Sequence, residues 1–178
     1  ALVIRYRAYF VRRLQEAAPA VHRDFSGGRE ELSLTYQTVS SVSDPTAAPQ
    51  KILEQLRDHQ ERHRQAELDS RQCLSGPHKD DLLVELDGRS AKTYGSQGQT
   101  RTAALSLKLA QRDIFFQETG EYPVLLLDDV LSELDARRQA FVLNHIQGGQ
   151  IFITCCEEEK LEGLEGGAAF HIHGGALV

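Results

Sequence analysis

The chain has 178 residues, 40% of them hydrophobic and 26% charged, ordinary values for a globular protein with one core or two small ones. No run of about 18 apolar residues occurs, so no membrane span is expected, and no charged-then-apolar leader resembles a signal peptide. The net charge of −6 is uneven: residues 1–75 carry 11 Lys+Arg against 10 Asp+Glu, and residues 76–178 carry 9 against 16. The acidic second part argues against its gripping a nucleic-acid backbone alone and suits a site built around a divalent metal. Two adjacent cysteines, Cys155 and Cys156, with Cys73 far away, form no disulfide framework and fit a reduced, cytoplasmic setting. With no methionine and a helical pattern already under way at Ala1, the chain reads as part of a longer protein with partner structure upstream.

In chain order, Val3, Tyr6, Phe10, Leu14, Ala17 and Val21 recur at spacings of three and four and predict an amphipathic helix. Arg5, Arg12 and Arg13 share one side of it, as a solvated face or as phosphate contacts. After Ser26-Gly27-Gly28, alternating Leu32, Leu34 and Tyr36 predict a strand. Residues 50–72 are highly charged, with Ile52, Leu56, His59 and His63 at helical spacing, and predict an exposed helix. Ser75-Gly76-Pro77 breaks the pattern. Leu82–Leu86, a turn at Asp87-Gly88 and the residues to Tyr94 predict a hairpin.

From Thr100 to Gln117 a helix is apolar around most of its circumference, as expected of one buried in something larger. Val124–Leu127 predicts a strand covered on both faces. Ser132 with Asp135 resembles a capping box before a helix carrying Phe141, Val142 and His145. Strands are expected at Gln150–Thr154 and Phe170–His173. The alternation argues for α/β architecture, with a mainly helical lobe over 1–74 and a sheet-containing core over 75–178.

Two places carry chemistry. Asp128 and Asp129 emerge at the carboxyl end of an apolar strand, where α/β sheets bind ligands; the first acid suits Mg²⁺ and the second can orient or deprotonate a water. In Ser96-Gln97-Gly98-Gln99 a hydroxyl and a glycine open a helix whose free N–H groups and dipole attract phosphate. An ordinary strand end and an ordinary capped helix start explain either motif taken singly.

Together and in this order, Ser96-Gln97-Gly98-Gln99, the strand ending in Asp128-Asp129, and Ser132-Glu133-Leu134-Asp135 resemble the signature motif, Walker B and D-loop of ABC-type ATPases. Three longer matches point to the RecF branch: Gly76-Pro77-His78-Lys79-Asp80-Asp81-Leu82, Gly95–Gln99 followed by Arg101-Thr102-Ala103-Ala104, and Leu126–Asp135. The resemblance is dense over 75–156 and looser over 1–40. It implies the C-terminal part of an ABC/SMC-head-like ATPase and an ATP-dependent DNA-binding protein of recombinational repair and replication restart, helping to load recombinase at gapped DNA.

By the same resemblance, Asp128 serves Mg²⁺ and Asp129 poises water. Ser96, Gly98 and Gln99, with Gln97 in the same turn, meet the γ-phosphate of ATP held by a second subunit, and Asp135 couples the two sites. A homodimer closed by ATP, double-stranded or gapped DNA, and the partners RecR and RecO are implied by family alone. Two departures matter. No Gly-Lys pair occurs, so Walker A is absent and the isolated chain is expected to lack turnover. Thr154 stands where transporter ATPases carry a histidine, which leaves its contact with the γ-phosphate open and counts against the alternative of a transporter motor subunit. A non-catalytic binding lobe is the third reading and is compatible with the first. His78 could line the nucleotide site or simply shape a turn, and Cys155-Cys156 with His171 and His173 lacks the usual spacing of a zinc site.

Overall fold

The first amphipathic stretch is helix α1, Leu2–Ser26, in a computed structural model that describes residues 1–39, 41–157 and 166–178. Its buried stripe runs through Ile4, Ala8, Val11, Leu14, Ala18, His22 and Phe25, three or four residues apart. The expected stripe is therefore rotated: Val3 and Tyr6 are exposed. Two apolar rows overlap on this helix. The one with small residues wins, because Ala8 and Ala18 permit close packing, and Leu14 and Ala18 join Ala103, Ala110 and Ile114 in one core. Gly27, in a left-handed conformation at φ 70°, ends the helix, and the Gly28 N–H returns to the Arg23 carbonyl.

Strand β1, Leu32–Gln37, pairs antiparallel with β2, Asp81–Leu86, so that Leu32 faces Leu86 and Leu34 faces Val84. Leu32, Leu34 and Leu86 point into the α1 core. Between them lie α2, Pro49–Arg62, and α3, Arg64–Ser70. The single helix expected over 50–72 is thus interrupted at His63, whose Nδ1 lies 2.8 Å from the His59 carbonyl and competes for a helical acceptor. Ile52 is fully buried with Ile4, Val39 and Val42 in a second cluster.

Asp87 and Gly88 both adopt positive φ, the geometry of a tight hairpin turn, and β3 follows at Arg89–Ser90. Its expected continuation to Tyr94 is instead the short helix α4, Ala91–Tyr94, because Ala91 turns inward to join the core. Helix α5, Gln97–Thr119, packs on α1 through Ala103, Ala110 and Ile114. Its burial is broad but not circumferential: Ala104, Lys108, Gln111 and Phe115 form an exposed row.

Asp80 fastens this unit. Its side chain is 2% exposed and accepts hydrogen bonds from Arg7 Nη1 (2.9 Å), the Tyr36 hydroxyl (2.6 Å) and Thr38 Oγ1 (2.7 Å). Burial, then the Asp80 hydrogen bond and charge, push the Tyr36 hydroxyl well above its ordinary pKa, so it remains a donor. Asp80→Ala removes the acceptor of the Tyr36 and Thr38 hydroxyls and is expected to cost on the order of 1–2 kcal/mol, read as a lowered denaturant midpoint, while Arg7 keeps the Pro77 carbonyl and solvent. A midpoint equal to that of the parent protein would show that the three donors find other partners.

In the second unit, β4 (Leu125–Asp128) and β5 (Ile151–Thr154) are parallel, with Leu125 opposite Ile151 and Asp128 opposite Thr154. A 3₁₀ turn at Leu131–Glu133 and helix α6, Ala136–His145, connect them as a β-α-β crossover. Leu127, Leu131, Val142, Leu143 and Ile146 are buried. The expectation that β4 is covered on both faces is not met. Leu126 is 70% exposed and its register partner Phe152 is 52% exposed, so one face of the pair is open. The apolar run reports what a parallel strand needs, and this chain covers one side of it. The terminal strand expected from Phe170 is reduced to β6, Ile172–His173, paired with β7, Ala176–Leu177.

The two compact units are Ala1–Gly120 and Glu121–Val178. The change of sequence character at 74/75 falls inside the first, since β1 and β2 come from either side of it and pair. No helix among the described residues is long and apolar enough to cross a membrane.

Candidate functional site

The turn before α5 is closed by reciprocal hydrogen bonds. Ser96 Oγ accepts the Gln99 N–H at 3.2 Å, and Gln99 Oε1 accepts the Ser96 N–H at 2.9 Å, a complete capping box. The N–H groups of Gln97 and Gly98, in the first helical turn, have no intrahelical acceptor and sit at the positive end of the helix dipole. Gln99 Nε2 donates to Glu30 Oε1 at 3.0 Å, so both ends of its amide are engaged inside the chain. The groups left to face a ligand are the Ser96 hydroxyl proton and the two N–H groups, while Gln97 itself is exposed.

The two glycines of the turn differ. A Cβ on Gly95 would lie 2.5 Å from the Ala91 carbonyl oxygen, so packing inside the chain excludes any side chain there. A Cβ on Gly98 would meet nothing within 4 Å, and its backbone is ordinary helix. Glycine in a helix costs roughly 0.5–1 kcal/mol against alanine, and nothing within this chain requires it at 98. It leaves the backbone open to close approach from outside.

In the second unit the acidic pair caps the parallel strands. Asp128 ends β4 directly opposite Thr154, whose hydroxyl donates to Asp128 Oδ1 at 2.6 Å. The Asp129 N–H donates to the Thr154 carbonyl (3.2 Å) and lies 3.0 Å from Thr154 Oγ1. Asp129 holds φ 50°, a left-handed conformation that aspartate and asparagine adopt more readily than most residues. Ser132 Oγ lies 2.6 Å from Asp129 Oδ1 and 2.8 Å from its carbonyl, which fixes the carboxylate against its own loop. Both acids are exposed at the carboxyl end of the strands. Thr154 thus braces the pair. One carboxylate oxygen of Asp128 is engaged by Thr154, and both carboxylates are exposed enough to meet a ligand from solvent. Among the described residues no three His, Cys, Asp or Glu side chains gather as a metal cage, so a cation at Asp128 would share its coordination with water or phosphate.

Asp135 is the N-cap of α6, accepting the Arg138 N–H at Oδ1 (2.9 Å). This corrects the expected capping box: Ser132 lies in the 3₁₀ turn and binds back to Asp129, so Asp135 is the cap and not its third-residue partner. His78 Nε2 lies 2.8 Å from the Cys73 carbonyl, a turn-shaping contact. Of the arginines on α1, Arg13 pairs with Glu118, and Arg12 lies 3.9 Å from Glu16 in a solvated pair. Sequence reasoning missed Glu30 and His22, which stand behind Gln99. The available signal was His22, which falls on the buried α1 row between Ala18 and Phe25.

No family model matches the chain. It is 45% identical over 181 residues to "DNA replication and repair protein RecF" of Bacillus subtilis (strain 168), covering 100% of this chain and 49% of that protein. The protein of the same name from Clostridium tetani (strain Massachusetts / E88) is 39% identical over 160 residues, covering 90% of this chain and 43% of it. Among solved structures, the "recombination mediator protein RecF-ATPrS in RecFOR pathway" matches with a TM-score of 0.82 and 34% identity, covering 98% of this chain and 46% of that one. The corresponding RecF-ATP structure matches with a TM-score of 0.80 and 33% identity, covering 99% and 46%. The chain spans about half the length of the curated relatives it matches.

Proposed function

Since the chain belongs to the RecF family of DNA replication and repair proteins, we propose that it supplies the signature and Walker B portion of an ATP-dependent, DNA-binding dimer. The observation that carries this reading is Gly98, a helical glycine with empty space before it beside two N–H groups without helical acceptors. Phosphate of ATP held by a second subunit fits that space, the phosphate-binding loop coming from residues outside this chain. Asp128, with one oxygen held by Thr154, would anchor Mg²⁺ through the other; the ion supplies charge neutralisation at the phosphates. Asp129, held by Ser132, accepts a proton from the attacking water. Asp135 would couple the two sites. The complete protein would act on double-stranded or gapped DNA in the cytoplasm, with RecR and RecO, to help load recombinase.

Gly98→Ala tests the reading. The isolated chain should be as stable as before or up to about 1 kcal/mol more so. The complete protein should still bind ATP in its own loop but lose ATP-dependent dimers by at least about tenfold, measured by sedimentation with and without nucleotide. Dimers of parental strength would mean that nothing approaches Gly98.

A further inference from the structure

Behind the capping box lies a buried polar relay from α1 to the start of α5. Ser106 Oγ donates to the Thr102 carbonyl at 2.8 Å and lies 3.1 Å from His22 Nδ1. His22 is completely buried, and its Nε2 lies 3.3 Å from Glu30 Oε2. Glu30 Oε1 in turn accepts from Gln99 Nε2 at 3.0 Å. The carboxylate side chain is only 15% exposed.

The consequence concerns which way round the Gln99 amide sits. A primary amide can present oxygen or nitrogen to the Ser96 N–H, and only oxygen closes the box. Glu30 accepts, and therefore requires the nitrogen end on its side. We infer that Glu30, braced by His22, is a positioning residue for the anion-binding turn: acting through Gln99, it fixes Ser96 and the free N–H groups of Gln97 and Gly98. The turn's role toward phosphate rests on the function proposed above. The relay itself is a statement about the resting turn and stands apart from it.

Glu30→Ala and Glu30→Gln in the complete protein separate the possibilities. In Glu30→Gln the introduced amide oxygen can still receive Gln99 Nε2, so this variant should behave like the parent. Glu30→Ala should accelerate amide hydrogen exchange at Ser96 severalfold without nucleotide, and weaken ATP-dependent dimers about tenfold with it. Because the effect passes through Gln99, it should vanish in a Gln99→Ala background, the mark of coupled sites. Unchanged Ser96 exchange in Glu30→Ala, or a dimer defect of equal size with and without Gln99, overturns the positioning role. Faster Ser96 exchange in Glu30→Ala, with normal dimers both there and in Ser96→Arg, upholds the relay and rejects the phosphate reading of the turn.

Discussion

Asp129→Asn in the complete protein is expected to keep ATP binding and to slow hydrolysis by at least about 10²-fold, the usual contribution of a general base. The geometry makes this a clean substitution. Asp129 sits at φ 50°, and asparagine accepts left-handed backbone as readily as aspartate, so the loop should not spring open. Ser132 Oγ can still donate to the amide oxygen in place of Oδ1, and the backbone N–H keeps its acceptors on Thr154. Proton acceptance and the negative charge are lost while the loop contacts remain. On the proposed function, in which a second subunit closes over ATP before hydrolysis, ATP-dependent dimers should accumulate. Single-turnover hydrolysis with unchanged nucleotide affinity is the measurement. A rate within a few-fold of the parent would remove Asp129 from the role and leave the acids as a cation platform only.

Asp128 and Thr154 supply an internal control. Thr154→Val removes the hydroxyl that holds Asp128 Oδ1 but leaves the apolar register of β4 and β5 in place. If the brace orients Asp128 for a cation, this variant changes the Mg²⁺ dependence of turnover, whereas Asp129→Asn does not.

What could be read from the sequence follows from how locally it was encoded. The helix expected over Thr100–Gln117 and the strand expected over Val124–Leu127, observed as Gln97–Thr119 and Leu125–Asp128, were legible because capping chemistry and a short apolar run are written within a few residues. The acidic pair fell where the run stopped, and Asp128 met Thr154 because parallel register carries both strands to the same end. The orientation of α1 was not legible. Val3–Tyr6–Phe10 and Ile4–Ala8–Val11 both satisfy a helical period, and the choice depends on alanines of α5 far along the chain. The same limit hid the junction of β1 with β2, and the reach of Glu30 to Gln99 across 69 positions. The exposed face of Leu126 and Phe152 was misread for a different reason. An apolar run reads the same in the sequence whether one face of the strand is covered or both.

Ser96→Arg is expected to abolish ATP-dependent dimers and hydrolysis while sparing ATP binding in the subunit's own loop. Ser96 is exposed, so arginine meets no packed core; the fold loses the cap on the Gln99 N–H, worth about 1 kcal/mol. That loss is too small to unfold the protein, since the α1–α5 core lies further along the helix. What changes is the approach: a long cation replaces a hydroxyl beside Gly98, where a Cβ would meet nothing within 4 Å. A cation attracts phosphate, so the defect must come from bulk and misplacement, and a second variant tests charge with little change in bulk. Ser96→Asp keeps an N-cap acceptor and nearly the same size, but turns a negative charge toward the nucleotide. It should fold as well as the parent and yet fail to dimerise with ATP. Sedimentation of all three proteins with and without ATP, alongside equilibrium binding of the nucleotide to the monomer, reads both effects. Parental dimers in Ser96→Asp would place no phosphate at the start of α5, whatever arginine does there.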